Sequence, residues 1–375
     1  MRSDGASAAS RRLHLLARSV AGPSAAAAAA NHPARQELTV EDFSFQGALG
    51  SAGTTLRRVG RNHFVATLGA APGHPEWCNK IQFTIARNAL GNSLELDVEF
   101  PSPAMSLNEY FASFSYDGVS WQPVTWQHGN TGDKTRDTLV FPRFEQDRVF
   151  VGHQVPMSYE DSNGLIDAWC KAHPSLTHRE VLGQSLGGRD IVRLEVTDSK
   201  SHVPRGRRWV HYISNQHPGE HNAQWRMSGM VEWLLGDEPE AVDCRAHSIF
   251  EFVFFSSPDA PSNGWYRVAA EGVDMNRSYI VSGSGGAVAP GAEHLGGSRQ
   301  CHEAAVVQRD VERMMSSEAP VTTLWSMHTW TGIIEPLLIP GPEMVSTRLG
   351  EWTELAKIMA RHDSESALVD TDGLA

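Results

Sequence analysis

From Leu38 to Val155 apolar and polar positions alternate in short runs. Ile81-Gln82-Phe83-Thr84-Ile85 and Leu94-Glu95-Leu96-Asp97-Val98 have a period of two, that of a half-buried strand. The segment from Asn88 to Asn92 separates them and supplies a turn. Phe111 to Tyr116 and Arg148 to Val151 read as further strands, and Asp117-Gly118 as another turn. Many short strands with turn punctuation predict an antiparallel β-sandwich over residues 38–155. The pattern changes near Pro156. Asn163 to Ala172 has helical spacing in Leu165, Ile166, Trp169 and Cys170. Asn222 to Leu235 and Cys301 to Met315 also read as helices. Ile191 to Val196, Trp209 to Ser214 and Val321 to Met327 read as strands, and Ile249 to Phe255 is a continuous apolar strand apart from Glu251. Strands alternating with helices predict a mixed, mostly parallel sheet flanked by helices over residues 156–375. The fold class is therefore α/β with an N-terminal sandwich. No repeat of 20–50 residues is evident, and Ser282 to Ser298, rich in Gly, Ser and Ala, reads as a surface loop.

Composition narrows the function classes. The 375 residues are 41% hydrophobic and 20% charged, with a net charge of −12. Nucleic acid as the main partner needs a basic face, which this balance does not favour. The sequence has no run of eighteen apolar residues, so no membrane span is expected. Cys78, Cys170, Cys244 and Cys301 are scattered without a CxxC pair, which disfavours a thiolate zinc site and fits a reducing, cytoplasmic setting. Residues 1–37 are of low complexity, with Arg11, Arg12, Arg18 and a run from Ala25 to Ala30, and read as a disordered or targeting-like tail.

The chemistry concentrates at Asn215-Gln216-His217-Pro218-Gly219-Glu220-His221, which follows a strand and opens a helix. His328 ends another strand, in Ser326-Met327-His328-Thr329. Sites in open α/β sheets gather at the carboxyl ends of strands. Two imidazoles and a carboxylate leave one position open for water, the arrangement of a catalytic Zn2+ site. HPGEH also fits the inverted HxxEH pattern, in which His221 would be a ligand on the same helix as His217. Pro218 is comfortable in a first helical turn and its predecessor prefers extended backbone. Glu220 is therefore expected in the first turn, His217 before it, and His221 as a neighbour. Gly183-Gln184-Ser185-Leu186-Gly187 fits a serine nucleophile elbow, but it leads into a strand where the elbow needs a helix, so a hairpin turn is expected.

Four blocks in order resemble the zinc carboxypeptidase family, and its cytosolic branch most. They are Ser185-Leu186-Gly187-Gly188-Arg189-Asp190; His217-Pro218-Gly219-Glu220; Asn263-Gly264-Trp265-Tyr266-Arg267 running to Gly272-Val273-Asp274-Met275-Asn276-Arg277; and His328 after an apolar strand. Phe141-Pro142-Arg143-Phe144 and Val155-Pro156-Met157-Ser158-Tyr159 resemble the end of the sandwich that precedes the catalytic domain in that branch. The resemblance implies that His217, Glu220 and His328 bind zinc. It further implies that Asn276 and Arg277 hold the substrate's terminal carboxylate and that Arg267 stabilises the oxyanion. Arginine suits these tasks, because its planar fork grips a carboxylate and its fixed charge meets charge developing on a carbonyl oxygen.

The sequence departs from the family at Pro258-Asp259-Ala260, at Met275 and at His328-Thr329. It has 47 residues after His328. Among them Glu335, Glu343, Glu351, Glu354 and Glu365 lie in no recognisable block, so no general base is assigned and the domain is read as incomplete at its C-terminal side. Glu351 and Glu354 fit the exposed face of a helix from Gly350 to Arg361. The leading expectation is a zinc metallocarboxypeptidase acting on peptide or protein C-termini, with acidic residues as in the glutamate-removing members. Two alternatives stand beside it: a zinc amidohydrolase of small N-acyl amino acids, and a non-catalytic zinc- or peptide-binding protein.

Overall fold

The computed structural model describes residues 36–100, 112–128, 136–280 and 299–328, with isolated positions 286, 288, 350, 354 and 357. Residues up to His328 form one compact unit and residues 329–375 a second. The expected tail lies almost wholly outside the described residues, as does most of the Ser282–Ser298 segment. Of the helix expected from Gly350, positions 350, 354 and 357 are described, and all three are helical and exposed.

Twelve strands precede the first long helix: β1 (Phe43–Ser44), β2 (Thr55–Gly60), β3 (His63–Thr67), β4 (Ala70–Ala71), β5 (His74–Cys78), β6 (Phe83–Ile85), β7 (Leu94–Glu99), β8 (Ala112–Ser115), β9 (Trp121–Pro123), β10 (Thr125–His128), β11 (Arg136–Phe141) and β12 (Val149–His153). Ten of them build two five-stranded sheets, β1-β6-β12-β8-β9 and β10-β11-β7-β3-β2. All pairings are antiparallel except β3 with β7. The alternation in β7 and β11 explains the layering. Leu94, Leu96, Val98, Leu139 and Phe141 turn inward to one core with Phe64, Phe83 and Phe114, as a half-buried sheet requires.

The second region starts at Ser158, whose hydroxyl caps helix α1 (Tyr159–Ala172) in a capping box with Asp161. Its sheet contains β13 (Thr177–Gln184), β14 (Asp190–Val196), β15 (Trp209–Ser214), β16 (Ser248–Val253) and β17 (Thr323–Ser326), in the order β13-β14-β16-β15-β17. The β16-β15-β17 pairings are parallel, while β13-β14 and β14-β16 are antiparallel. Helices α2 (His221–Leu234), α3 (Pro239–His247), the short α4 (Ala260–Asn263) and α5 (His302–Met315) complete it. One face of the sheet packs Leu194, Ile213, Phe250 and Phe252 against the Trp225 side of α2 and Trp169 of α1. The other packs Ile191, Val210, Tyr212 and Val253 against Val306, Val307 and Met314 of α5. Glu251, the one interruption in the apolar run of β16, lies on the second face. There it meets the Arg193 guanidinium at 3.0 Å, and Arg193 also grips both oxygens of Asp310 on α5.

The sandwich also touches the loop that leads to the candidate site. Gly50 N donates to Pro261 O, Ala52 N to Asn263 O and Lys80 N to Gly264 O, at 3.1, 2.9 and 2.7 Å. The buried Lys80 ammonium then sits 4.0 Å above the Tyr266 ring, a desolvated cation–π contact.

Candidate metal centre

His217 and Glu220 lie on the turn that joins β15 to α2. Glu220 takes the position just before the helix, one residue earlier than the first turn expected for it, and His221 is the first helical residue. The turn is fixed from outside: Gly219 N donates to Tyr266 O at 3.0 Å. A Cβ on Gly219 would stand 2.6 Å from the Tyr266 Cα, so no larger residue fits there without a shift. The Glu220 carboxylate caps no backbone N–H and instead lies between two imidazoles. His217 Nδ1 is 2.9 Å from Oε1 and His328 Nδ1 is 3.0 Å from Oε2. His328 is brought there by β17, which runs parallel to β15 with Ser326 beside Ser214.

The three donor atoms lie within 4.8 Å of one another. A tetrahedral zinc with bonds of about 2.0–2.2 Å wants its ligand atoms roughly 3.5 Å apart, a spacing of the scale this trio offers. The chemistry of the set fits as well: two imidazole nitrogens and a carboxylate oxygen, the two residues on the turn buried and His328 half-exposed. Burial alone would raise the Glu220 carboxyl, but His217 and then His328 outweigh it and hold it down at about 2. For His217 burial works to lower the imidazole, and Glu220 with Asp274 more than reverses it, so the ring stays above its ordinary value. The site is built to keep a carboxylate ionised beside positive charge.

Asp274 was not singled out from the sequence. It is fully buried, and its carboxylate accepts from His217 Nε2 at 2.9 Å and from Arg267 Nε at 2.5 Å. It thus joins an imidazole of the trio to the nearby arginine. The signal was present, since Asp274 sits inside the quoted Gly272–Arg277 block, but a carboxylate's partner cannot be read from a linear pattern. Asn276 and Arg277 follow in a short 3-10 turn capped by the Asp274 side chain. Asn276 Nδ2 lies 3.4 Å from His328 Nε2, and Arg277 Nη1 donates to Asn276 O at 3.0 Å. Arg267, Asn276 and Arg277 are all half-buried; Arg267 reaches the trio through Asp274 and Asn276 reaches it at His328.

Two other motifs resolve differently. His221 is fully buried with Nδ1 accepting from Met157 N at 3.3 Å and Nε2 3.4 Å from Gln82 Nε2. It stands outside the trio, and burial, followed by Lys80, pulls it down to about 3. Ser185 sits in the β13–β14 hairpin turn, where its Oγ accepts from Arg189 N at 3.0 Å. That turn is tied to Asp259, which accepts from Gly187 N and Arg189 Nη1. A second trio of possible ligands, His63, Glu95 and Asp97, occurs on the sandwich. There Arg136 and Thr138 already hold Asp97, and a cation beside a cation site opposes metal. The expected free thiols are found at Cys170, Cys244 and Cys301. Among the described residues no helix is long and apolar enough to cross a membrane.

Comparison with known proteins points to the same family. Residues 163–334 match the zinc carboxypeptidase family. This part of the chain is similar to zinc carboxypeptidase domains. Its carboxypeptidase relatives include cytosolic carboxypeptidase 2 of Danio rerio, 30% identical over 185 residues, which are 46% of this chain and 23% of that protein. Cytosolic carboxypeptidase 2 of Homo sapiens is 29% identical over 154 residues, 38% of this chain and 16% of its own length. The chain thus spans about a quarter or less of the length of these curated relatives. The carboxypeptidase fold extends further than the sequence match. A metallo-carboxypeptidase from Burkholderia cenocepacia superposes with a TM-score of 0.68 at 20% identity, covering 87% of this chain and 80% of that one. One from Pseudomonas aeruginosa gives 0.57 at 22% identity, covering 82% and 77%.

Proposed function

We propose that this protein is a zinc-dependent metallocarboxypeptidase that removes residues from the C-terminus of peptides or proteins in the cytoplasm. The observation that carries the reading is the meeting of His217, Glu220 and His328 at the ends of two parallel strands, with Arg267, Asn276 and Arg277 on the adjoining loop. In this reading His217, Glu220 and His328 hold the zinc, which when bound would supply a water of lowered pKa and polarise the scissile carbonyl. Asp274 keeps the His217 ring and the Arg267 guanidinium in fixed orientation through its two oxygens. Arg267 places positive charge where the carbonyl oxygen gains negative charge. Arg277 and Asn276 bind the terminal carboxylate, which restricts attack to the last peptide bond. Removal of a terminal acidic residue, by cleavage of the bond that precedes it, is the specificity we assign, on the similarity to the cytosolic branch. The sandwich over residues 38–155 acts in this proposal as a separate module that braces the Tyr266 loop. Of the late glutamates, Glu354 is exposed and paired with Lys357, and the other four lie outside the described residues.

The test is hydrolysis of peptides ending in Glu, Ala or Lys by the zinc-loaded chain, beside N-acetyl-glutamate. Release of terminal Glu, abolished in Arg277→Met, supports the proposal. Hydrolysis of the acyl amino acid alone would make the protein an amidohydrolase. Peptide binding by calorimetry without turnover would make it a binding protein.

A further inference from the structure

The two imidazoles of the trio are held from behind by different chemistry. His217 Nε2 faces a carboxylate, Asp274. His328 Nε2 faces a hydroxyl, Ser326 Oγ, at 2.6 Å. Ser326 and His328 are two residues apart at the end of β17, so their side chains leave the same face of the strand. The parallel register sets Ser326 beside Ser214 on β15, which brings Gln216, two residues further along, against the same face. Gln216 is 3% exposed. Its Nε2 donates to Ser214 Oγ at 2.9 Å and its Oε1 accepts from the Ser326 hydroxyl.

A hydroxyl has one proton. With that proton directed at the Gln216 oxygen, Ser326 Oγ can meet His328 Nε2 only as an acceptor. The imidazole proton is then on Nε2, and the Nδ1 lone pair points toward Glu220 Oε2. Asn276 Nδ2 is 3.4 Å from the same nitrogen, at the weak outer limit of a hydrogen bond, so the 2.6 Å contact prevails.

We propose that Ser326 and Gln216 are positioning residues for His328: a serine–glutamine relay at the end of β17 and just beyond β15 fixes the ring and its tautomer so that Nδ1 is presented as a metal ligand. The inference rests on the reading of His328 as a zinc ligand. Outer partners of metal-bound histidines contribute about 10–100-fold to metal affinity. A neutral hydroxyl should sit at the lower end of that range, below Asp274.

The experiment measures zinc dissociation constants by chelator competition on the 375-residue chain for wild type, Ser326→Ala and Ser326→Thr. In parallel, 15N spectra of histidine-labelled, zinc-loaded protein report the His328 tautomer. Melting of each variant in chelator checks the fold independently of zinc. The expected result is a wild-type His328 protonated on Nε2, binding weakened about 10-fold in Ser326→Ala, and recovery to within about twofold in Ser326→Thr, which keeps the hydroxyl. Equal affinity of Ser326→Ala and wild type, or equal weakening in both variants, overturns the relay. A folded wild type that takes up no zinc overturns the ligand assignment itself, a separate and recognisable failure.

Discussion

Two buried glutamates of the same α/β region meet opposite fates. Glu220, just before α2, is held down at about 2, whereas Glu251, in the middle of β16, is pushed up to about 8. Burial acts in the same direction on both. The difference lies in the partners. Glu220 has an imidazole on each oxygen. Glu251 has Arg193, but that guanidinium is also claimed by Asp310 and Glu180. Glu195 stands directly across the β14–β16 pairing and adds like charge. The first arrangement stores a carboxylate ready for a cation. The second holds the acid's proton more tightly, inside a network that fastens α5 to the sheet. Whether a buried acid keeps or loses its proton thus depends on how many cations face it alone.

The largest effect should come from His217→Ala. Bound zinc should fall from one equivalent per chain to near none by elemental analysis, and full retention would break the assignment of Glu220 as part of a metal centre. Next is Arg193→Met, which leaves Glu251 and Asp310 without their common cation. Removing one partner of a buried ion pair costs about 3–5 kcal/mol, to be read from urea melts. Asp274→Asn should weaken zinc binding by about 10–100-fold, read by chelator competition.

The smallest effect concerns Glu251→Gln. Because the folded chain holds the Glu251 proton more tightly than the unfolded one, its contribution is complete below the ordinary carboxyl range. It is lost as pH rises through about 8. Wild type should therefore lose stability with rising pH over that window, by at most about 1.4 kcal/mol per pH unit for one proton. Glu251→Gln should flatten that slope. An unchanged slope would mean that Glu251 is ionised in the fold.

Much of this was legible in the chain because it follows local periodicity. The alternation in Leu94–Val98 and the apolar run after Ser248 located β7 and β16, and Pro218 located the break between His217 and α2. Helix α3, Pro239–His247, was not anticipated; its apolar face is narrow, with Ala241 and Arg245 as its buried residues. The trio could be proposed because each member ends or follows a recognisable strand. Asp274, Gln216 and Ser326 could not, since their roles depend on what lies opposite them in neighbouring strands and loops. Glu251 was visible as an interruption in an apolar run, and only Arg193, from another strand, accounts for it.

The clasp between the sandwich and the Pro261–Gly264 segment has a practical corollary. The peptide bonds that steady Tyr266, and through it Gly219, are held partly by Gly50, Ala52 and Lys80. Anyone trimming the protein to residues 156–375 for crystallisation or assay would be removing the floor under the HPGE turn. The shortened fragment should lose metal affinity even though it retains each proposed ligand.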